Sequence, residues 1–218
     1  MKVQLINYTP NPDKTCAAAA LGCHSESDSC EIVAQLSDQK AKNILKKTIS
    51  SGHHSVIEHA NFTFCISGVS RALTHQLVRH RIASFSQQSQ RYVKLNTPTF
   101  ITPPAIEGNE SANKKYQEFM VTAWGVYNSL VEEGINAEDA RFVLPNAATT
   151  AITVTMNARE LRHFFELRCC TRAQWEIRKM AWRMLEQVKK AAPAIFDGAG
   201  PTCDNCLDPN FPCERRKK

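Results

Sequence analysis

The chain has 218 residues, of which 43% are hydrophobic. This composition is enough for one buried core, and the length is too short for two independent catalytic domains. Its formal charge is +6, and the four basic residues at 215–218 supply four of these charges, so that subtracting them leaves +2. This near-neutral body argues against a nucleic-acid-binding surface over the whole protein, while a local basic pocket for a small anion stays open. We therefore predict a single domain, residues 1–200, followed by a basic tail with cysteines, residues 201–218.

The first ten residues, MKVQLINYTP, lack the cationic and apolar regions of a secretory signal. No run approaches about 18 consecutive apolar residues, the length that a membrane span needs. We therefore expect a cytoplasmic protein that does not enter a membrane. Its nine cysteines are expected to be reduced thiols, because disulfides are rare in that compartment.

The first fifty residues predict one strand and two helices. VQLINY, residues 3–8, has the composition of a strand. Asn11 and Pro12 then provide an N-cap and a first-turn proline for a short helix that ends at Gly22. A second helix is predicted over residues 38–51, because its apolar positions recur at helical spacing on one face.

The next forty residues predict a strand, a helix and a loop. Residues 61–66 alternate apolar and polar side chains, which is the period of a half-buried strand, and Gly68 ends it. Residues 70–80 contain no helix breaker, so the sequence RHR is predicted at a helix end. The polar segment IASFSQQSQR, residues 82–91, is predicted to be an exposed loop.

The second half predicts a long helix over residues 111–133 and a shorter helix leading into the sequence RFVLP. Residues 152–156 alternate as a third strand. Strands separated by helices, without regular βαβ alternation or a glycine-rich nucleotide loop, predict the α+β class and exclude a doubly wound dinucleotide-binding domain.

Two capping patterns mark the last helices. Asn157 with Glu160 three residues later resembles a capping box, so that a strand leads directly into a helix. The last helix is predicted to open with Thr171 and Gln174 in the same relation and to stop before Pro193.

Thirteen residues, RHRIASFSQQSQR, carry three arginines at fixed spacing. Arg79, His80 and Arg81 are followed, after seven residues, by Ser89 and then Arg91. Arginine stays charged at any working pH and can bind phosphate through two hydrogen bonds, and serine adds a neutral donor. The set therefore predicts a pocket for phosphate-bearing ligands, although a solvated surface position remains the simple interpretation for any one arginine alone.

This pattern resembles the signature of the flavin-dependent thymidylate synthases. A second block resembles the same family, with Arg141 in RFVLP and with Asn157, Arg159, His163 and Arg168 in MNARELRHFFELR. The resemblance implies a twisted sheet packed by helices, assembled as a homotetramer whose active sites lie between subunits. It also implies reductive methylation of deoxyuridine monophosphate (dUMP) to thymidylate (dTMP). Methylenetetrahydrofolate would be the one-carbon donor, and NADPH would be the reductant through flavin adenine dinucleotide (FAD).

The resemblance further implies which residues bind each ligand. The residues implied for FAD are His53, Ser55, Arg79, His80, Arg81, Gln87, Asn157, Arg159 and His163. The residues implied for dUMP are Gln76, Arg79, Gln87, Gln88, Ser89, Gln90, Arg91, Arg141 and Arg168. Arg168 is also the predicted catalytic residue, because a guanidinium beside the uracil ring would favour the N3-deprotonated form and push electron density toward C5. Gln87 departs from the family pattern, in which other members carry glutamate.

Ser89 is predicted to be a substrate-binding donor rather than a nucleophile. An unactivated serine hydroxyl needs an adjacent base, and the surrounding segment supplies none in sequence. We therefore assign the chemical step to bound FAD, with the protein positioning it.

No metal site is predicted, although two clusters raise the question. Three histidines fall within residues 53–59, without cysteine or carboxylate at matching spacing. Cys203, Cys206 and Cys213 form C-x2-C-x6-C, and a closed zinc site would need a fourth ligand. A zinc site, a redox-labile thiol pair and a flexible tail therefore all stay open for the C-terminal segment.

Two rival functions also stay open. A nucleic-acid-binding module would use the arginine-rich segment and the basic tail, against which the near-neutral body counts. A flavoprotein reductase would oxidise NADPH without needing nucleotide or folate. The predicted partners are dUMP, NADPH and methylenetetrahydrofolate, with neither membrane nor nucleic acid among them.

Overall fold

In the computed structural model, which describes residues 1–203, 206 and 213, the chain forms helices and a four-stranded sheet. The strands are β1 (Lys2–Tyr8), β2 (Asn61–Ser70), β3 (Ala83–Gln87) and β4 (Thr149–Asn157). The helices are α1 (Pro12–Gly22), α2 (Ser29–Gln35), α3 (Asp38–Ser50), α4 (Arg71–Leu77), α5 (Pro104–Glu107), α6 (Glu110–Glu132), α7 (Ala137–Ala140), α8 (Ala158–Arg168) and α9 (Trp175–Ala191). Short 3-10 helices cover His54–His59 and Arg141–Val143.

The strands are hydrogen-bonded in the order β1-β2-β4-β3. In the two central strands, Phe62 and Phe64 of β2 and Val154 and Met156 of β4 are buried, while the residues between them are more exposed. This alternation gives the sheet one apolar face. The three predicted strands and the α+β class are confirmed.

The prediction of an exposed loop over residues 82–91 is wrong for β3. Ala83, Phe85 and Gln87 are half-buried, whereas Ser84 and Ser86 are exposed. This two-residue period is that of a strand at the edge of a sheet. Serine and glutamine obscure the period in the sequence because they carry little β propensity.

The second strand does not end at Gly68 as predicted but continues to Ser70. Gly68 has a φ of 64°, and a Cβ atom there would lie 3.2 Å from the backbone nitrogen of Met1. Glycine therefore permits both the unusual backbone angle and the close approach of the N-terminus.

The predicted helices are confirmed as α1, α3, α4, α6, α7, α8 and α9. The start of α1 at Asn11 and Pro12 is also confirmed, and the predicted start of α9 is wrong. Asn11 takes a left-handed backbone conformation, with φ 47°, and its side chain makes no capping hydrogen bond. At α9 the cap is Gln174 itself, whose side chain accepts hydrogen bonds from the backbone N–H groups of Glu176 and Ile177. Helices α2 and α5 were not predicted because both are short.

The described chain divides into two compact units. Unit 1 comprises Met1–Lys2, Ile66–Arg79 and Ser86–Ile152, and contains α4 to α7. Its core forms around Trp124 of α6, which is 1% exposed and packs with Met120, Ala148 and the ring of Phe100.

Unit 2 comprises Val3–Cys65, His80–Phe85 and Thr153–Lys218, and contains α1 to α3, α8 and α9. A continuous series of ring contacts runs through its core. The series is Tyr8–Phe62 (6.2 Å between ring centroids), Phe62–Phe196 (5.3 Å), Phe196–Phe165 (6.0 Å), Phe165–Phe164 (5.6 Å) and Phe164–His80 (5.0 Å). The aromatic core of this unit therefore leads directly to a residue of the RHR sequence.

Among the described residues, no helix combines the length and apolar character needed to cross a membrane. The division into a catalytic domain, residues 1–200, and a tail stays a prediction. Of that tail, residues 204–205, 207–212 and 214–218, which include the basic end, lie outside the described residues.

Candidate active site

His80 is the centre of a buried, hydrogen-bonded array in unit 2. The residue is 5% exposed. Its Nδ1 lies 2.9 Å from Oε1 of Glu160, and its Nε2 accepts a 3.0 Å hydrogen bond from Nε of Arg168. Glu160 lies in the first turn of α8 and Arg168 in the last, so the imidazole connects the two ends of one helix.

The hydrogen bonds define the protonation state of His80. Nε of Arg168 can only donate, so Nε2 of His80 accepts and the ring proton lies on Nδ1, which donates to the Glu160 carboxylate. Burial lowers the pKa of His80 most strongly. The hydrogen bond that the ring donates to Glu160 raises that pKa, and the charge of Arg168 lowers it, with a smaller lowering by His163. The ring is therefore neutral at neutral pH.

A cavity of about 630 Å³ lies within unit 2 and includes Glu160 in its lining. The other polar side chains of the lining are His54, Glu58, Asn157, Arg159, Arg162, His163, Glu166 and Thr202. Gly198, Ala199 and Gly200 form part of the wall, where small residues let a ligand approach the backbone closely. The cavity thus combines two arginines with three carboxylates and with neutral hydrogen-bonding groups, which can serve both the phosphates and the heterocyclic ring of a dinucleotide.

Three residues predicted to bind FAD meet at this cavity. Asn157 caps α8, its Oδ1 accepting a 2.9 Å hydrogen bond from the backbone N–H of Glu160. Arg159 donates from Nη1 to Glu58 over 2.6 Å, and both side chains are half-exposed. The ring of His163 lies 6.1 Å from that of His80. The cavity therefore gathers Asn157, Arg159 and His163 in one place.

The remaining FAD predictions in unit 2 have a different placement. His53, Ser55 and Arg81 are exposed, His80 is buried, and none of the four lines the cavity. His54 lines it instead, with Nε2 3.2 Å from the carbonyl oxygen of Ile49. Contacts of His53, Ser55 and Arg81 with FAD stay predictions.

Glu138 organises two arginines of unit 1. Nε of Arg91 donates to its carboxylate over 2.8 Å, and Nε of Arg141 donates to its carbonyl oxygen over 2.9 Å. The hydrogen bond that Arg91 donates to Glu138, and then the charge of Glu138, raise the pKa of Arg91. Burial lowers the pKa of Arg71, and the nearby charge of Arg141 lowers it further. Like charges held close together are typical of a site for an anion.

Gln90 carries a buried group that lacks a partner. The residue is 8% exposed, and its Nε2 has no hydrogen-bond partner among the residues that the structure describes. A buried amide N–H without an acceptor costs about 1–3 kcal/mol, so this group is suited to a ligand oxygen. By contrast, Nε2 of Gln87 donates to the hydroxyls of Thr74 (3.1 Å) and Thr150 (3.3 Å).

The other predicted residues of unit 1 lie near the surface. Arg79 and Gln88 are exposed. Gln76 is half-buried and donates from Nε2 to the carbonyl oxygen of Ala72 over 3.3 Å. The hydroxyl of Ser89 accepts a 3.1 Å hydrogen bond from the backbone N–H of Arg91. Their roles toward dUMP or FAD stay predictions.

A second cavity of unit 2, about 370 Å³, gathers the cysteines of the C-terminal segment. Its lining includes Cys170, Cys203, Cys206 and Cys213 beside Arg168. Within residues 1–203, 206 and 213, no group of three or more histidine, cysteine, aspartate or glutamate side chains is arranged to hold a metal ion. The open interpretations of this segment stay open.

The sequence interpretation missed the role of Glu160, which it assigned to a capping box. Only half of that box forms, because the Glu160 carboxylate bonds to His80 rather than to the N–H of Asn157. One signal could have found it: Glu160, Phe164 and Arg168 recur every four residues and share one face of α8. Arg168 itself lies in the last turn of α8.

Comparisons with known proteins identify the family. Residues 4–194 match the family model described as thymidylate synthase complementing protein. The chain is 52% identical over 205 residues to a flavin-dependent thymidylate synthase of Geobacter sulfurreducens, covering 93% of this chain and 88% of the relative. It is 47% identical over 231 residues to a flavin-dependent thymidylate synthase of Clostridium tetani, covering 98% and 93%.

A solved structure has the same fold. It is the UMP/dUMP methylase PolB of Streptomyces cacaoi bound with 5-Br dUMP, with a TM-score of 0.79 and 24% sequence identity over 90% of this chain and 93% of that one. The fold, the family match over residues 4–194 and the identities of the relatives show together that the chain belongs to the flavin-dependent thymidylate synthase family.

Proposed function

We propose that the chain is an enzyme that makes dTMP by reductive methylation of dUMP. The reaction converts dUMP, methylenetetrahydrofolate, NADPH and one proton into dTMP, tetrahydrofolate and NADP⁺. The observation that carries the proposal is the cavity of unit 2, at which Asn157, Arg159 and His163 meet in a chain 52% identical to a flavin-dependent thymidylate synthase.

The donor set of this cavity fits FAD. Arg159 supplies a cation for a phosphate, and Asn157 and His163 supply hydrogen-bonding groups. The glycines at 198 and 200 leave room against the backbone. Bound FAD would supply the redox chemistry that the side chains lack, with NADPH as the reductant. The chain's own residues bind it, orient it and exclude water.

The arginines of unit 1 fit the substrate phosphate. Arg91 and Arg141 are both oriented by Glu138, and the unpartnered Nε2 of Gln90 is available for a substrate oxygen. Arginine and amide groups together give charge and direction to the binding of a nucleotide monophosphate. Arg168 is proposed as the catalytic residue, because its cation stabilises the charge that develops on the pyrimidine when N3 loses its proton.

We also propose a homotetramer in the cytoplasm, with active sites shared between subunits. Tyr92 and Phe142 are 79% and 81% exposed and directly follow the proposed substrate residues Arg91 and Arg141. Large exposed apolar side chains beside a binding site are typical of a surface covered by a partner. Sedimentation of the purified protein checks the assembly, and a monomer at working concentration would contradict it.

The first prediction concerns Arg91. Replacing it with alanine removes a charge-assisted contact to phosphate, so KM for dUMP should rise by about 10- to 100-fold while kcat changes less. Steady-state assays at varied dUMP measure the two constants separately. Lys46→Ala, at an exposed position of α3, is the control and should leave KM unchanged. An unaltered KM in the Arg91 variant would remove this residue from the substrate site.

The function itself is tested by product analysis. The purified protein, FAD, NADPH, methylenetetrahydrofolate and dUMP are incubated without oxygen, and nucleotides are separated by chromatography. We expect dTMP that depends on every component. NADPH oxidation that proceeds without dUMP or folate, with no dTMP, would indicate a reductase instead.

A further inference from the structure

Glu160 is a buried carboxylate to which the proposed reaction gives no role. Its side chain is 7% exposed, although it lies in the first turn of a helix, where an acidic residue ordinarily interacts with solvent and the N-terminal N–H groups. Burying a carboxylate is costly unless it is hydrogen-bonded to a compensating group. The hydrogen bond to Nδ1 of His80 supplies that compensation and points to a function for the whole array.

The array connects groups that could not meet directly. Glu160 and Arg168 are eight residues apart on α8, a rise of about 12 Å along the axis. The imidazole of His80 spans this gap, with 2.9 Å to the carboxylate on one side and 3.0 Å to Nε of Arg168 on the other. The ring of Phe164, between them on the helix, packs edge-on against His80 at 5.0 Å. The imidazole is therefore held through both ring nitrogens and by the ring of Phe164.

We propose that Glu160 is a positioning residue, which acts through the Nδ1–H tautomer of His80 to fix the orientation of the Arg168 guanidinium. The inference rests on the proposed function, because it assigns Arg168 to the substrate pyrimidine. Neither Glu160 nor His80 needs to touch the reacting atoms. The carboxylate selects the tautomer, the tautomer presents an acceptor at Nε2, and the acceptor holds the Nε edge of Arg168.

The hydrogen bond from Arg168 depends on the tautomer of His80. If Nε2 carried the ring proton, two N–H donors would face each other and the contact with Arg168 would be lost. Without an acceptor at position 160, the Arg168 donor is the one remaining group of the array that favours Nδ1–H, and that buried Nδ1–H is left without its acceptor. An amide at this position keeps an acceptor oxygen, whereas a methyl group does not. Glu160→Gln and Glu160→Ala therefore separate the loss of charge from the loss of the acceptor.

The array also has a defined pH dependence. In the part of the chain that the structure describes, the charged or titratable groups that act on His80 are Glu160, His163 and Arg168, all on α8. Burial lowers the pKa of His80, so the neutral ring persists below the ordinary range of histidine and the contact with Arg168 is lost only as pH falls through the lowered pKa. Glu160 opposes this lowering. Removing its charge moves the pKa down further, and the acid limb of kcat should follow.

The experiment compares the wild-type holoenzyme with Glu160→Ala, Glu160→Gln and the control Glu186→Gln. Glu186 is an exposed carboxylate of α9 that pairs with Lys190. For each protein, bound flavin, kcat and KM for dUMP are measured across about pH 5 to 9, the range in which histidine titrates. Nitrogen-15 NMR of the imidazoles, assigned with His80→Asn, reports the tautomer of His80 independently of activity.

We expect Glu160→Ala to lose roughly 10- to 100-fold in kcat with little change in KM for dUMP, and its His80 signal to shift toward Nε2–H. Glu160→Gln should keep kcat within about threefold and the Nδ1–H tautomer, with its acid limb at lower pH than in wild type. The control should match wild type in every measurement.

The proposal is overturned if the two Glu160 variants lose activity equally with an unmoved acid limb, which is the behaviour of a purely structural residue. It is also overturned if Glu160→Ala keeps wild-type kcat. If Glu160→Ala fails to fold, Glu160→Gln and its pH profile still decide. If the wild type forms no dTMP, the proposed function is wrong. The tautomer of His80, measured by NMR, then tests the role of Glu160 independently of that function.

Discussion

Replacing Arg168 with alanine should abolish most thymidylate formation while leaving flavin bound. Arg168 donates to Nε2 of His80 and does not line the cavity proposed for FAD. Removing a fixed donor that stabilises developing charge typically lowers kcat by about 100- to 1,000-fold. The loss should appear in kcat, because the charge on the pyrimidine develops only during the reaction.

The measurement is single-turnover dTMP formation together with the flavin absorption of the same sample. Arg172→Ala, an exposed arginine four residues further along, serves as the control. Retained flavin with lost turnover separates the role of Arg168 from a loss of folding. Near-normal turnover in the Arg168 variant would remove the proposed catalytic residue.

Of the substitutions proposed for this chain, Phe164→Ala should lower the free energy of unfolding most. The side chain is fully buried and contacts the rings of His80 and Phe165, so it joins the aromatic core of unit 2 to the array. A buried Phe→Ala change lowers the free energy of unfolding by about 3–5 kcal/mol, through lost burial and the cavity left behind. Activity should fall as well, because His80 loses the ring that packs against it.

Urea unfolding at fixed protein concentration measures this effect. Phe164→Leu fills most of the same volume and should cost less than about 1.5 kcal/mol. A loss below about 1 kcal/mol in the free energy of unfolding of the alanine variant would show that neighbouring side chains fill the cavity left by the Phe164 ring. The role of Phe164 as a support for His80 would then be wrong.

The strands and helices with strong periodicity could be predicted from the sequence. Residues 62–66 and 152–156 alternate clearly, and the apolar face of residues 38–51 has helical spacing. β3 could not be predicted, because serine and glutamine fill positions whose pairing within the sheet depends on long-range contacts. Local composition carries little information about such a strand.

In the candidate site, too, local patterns could be predicted from the sequence and long-range contacts could not. The sequence placed Asn157 at the start of a helix and Arg159 and His163 on one face of it, because residues four apart share a helix face, and all three line the cavity. The spacing of Glu160, Phe164 and Arg168 indicates a shared helix face, but His80 lies 80 positions from Glu160 and no spacing rule identifies it as the partner. Glu160 looked like a cap because its position in the chain fits one, and only burial shows that its carboxylate has another partner.

The cysteine spacing of the C-terminal segment was not enough to predict a metal site. The spacing of Cys203, Cys206 and Cys213 suggested a partial metal motif, and the structure places Cys170 in the same cavity. Shared lining does not amount to coordination geometry, which needs ligand distances and a closed set of four. Within the described residues that arrangement is not present.

The central claim is that this chain uses bound flavin to turn dUMP into dTMP. Its most direct test follows flavin absorption in one anaerobic cuvette, as NADPH, then dUMP and then methylenetetrahydrofolate are added, with dTMP quantified at the end. We predict that the flavin bands bleach with NADPH, bleach faster when dUMP is present, and return as dTMP forms after the folate is added. A protein that binds no flavin even after reconstitution with FAD, or one that oxidises NADPH without ever yielding dTMP, would contradict that claim.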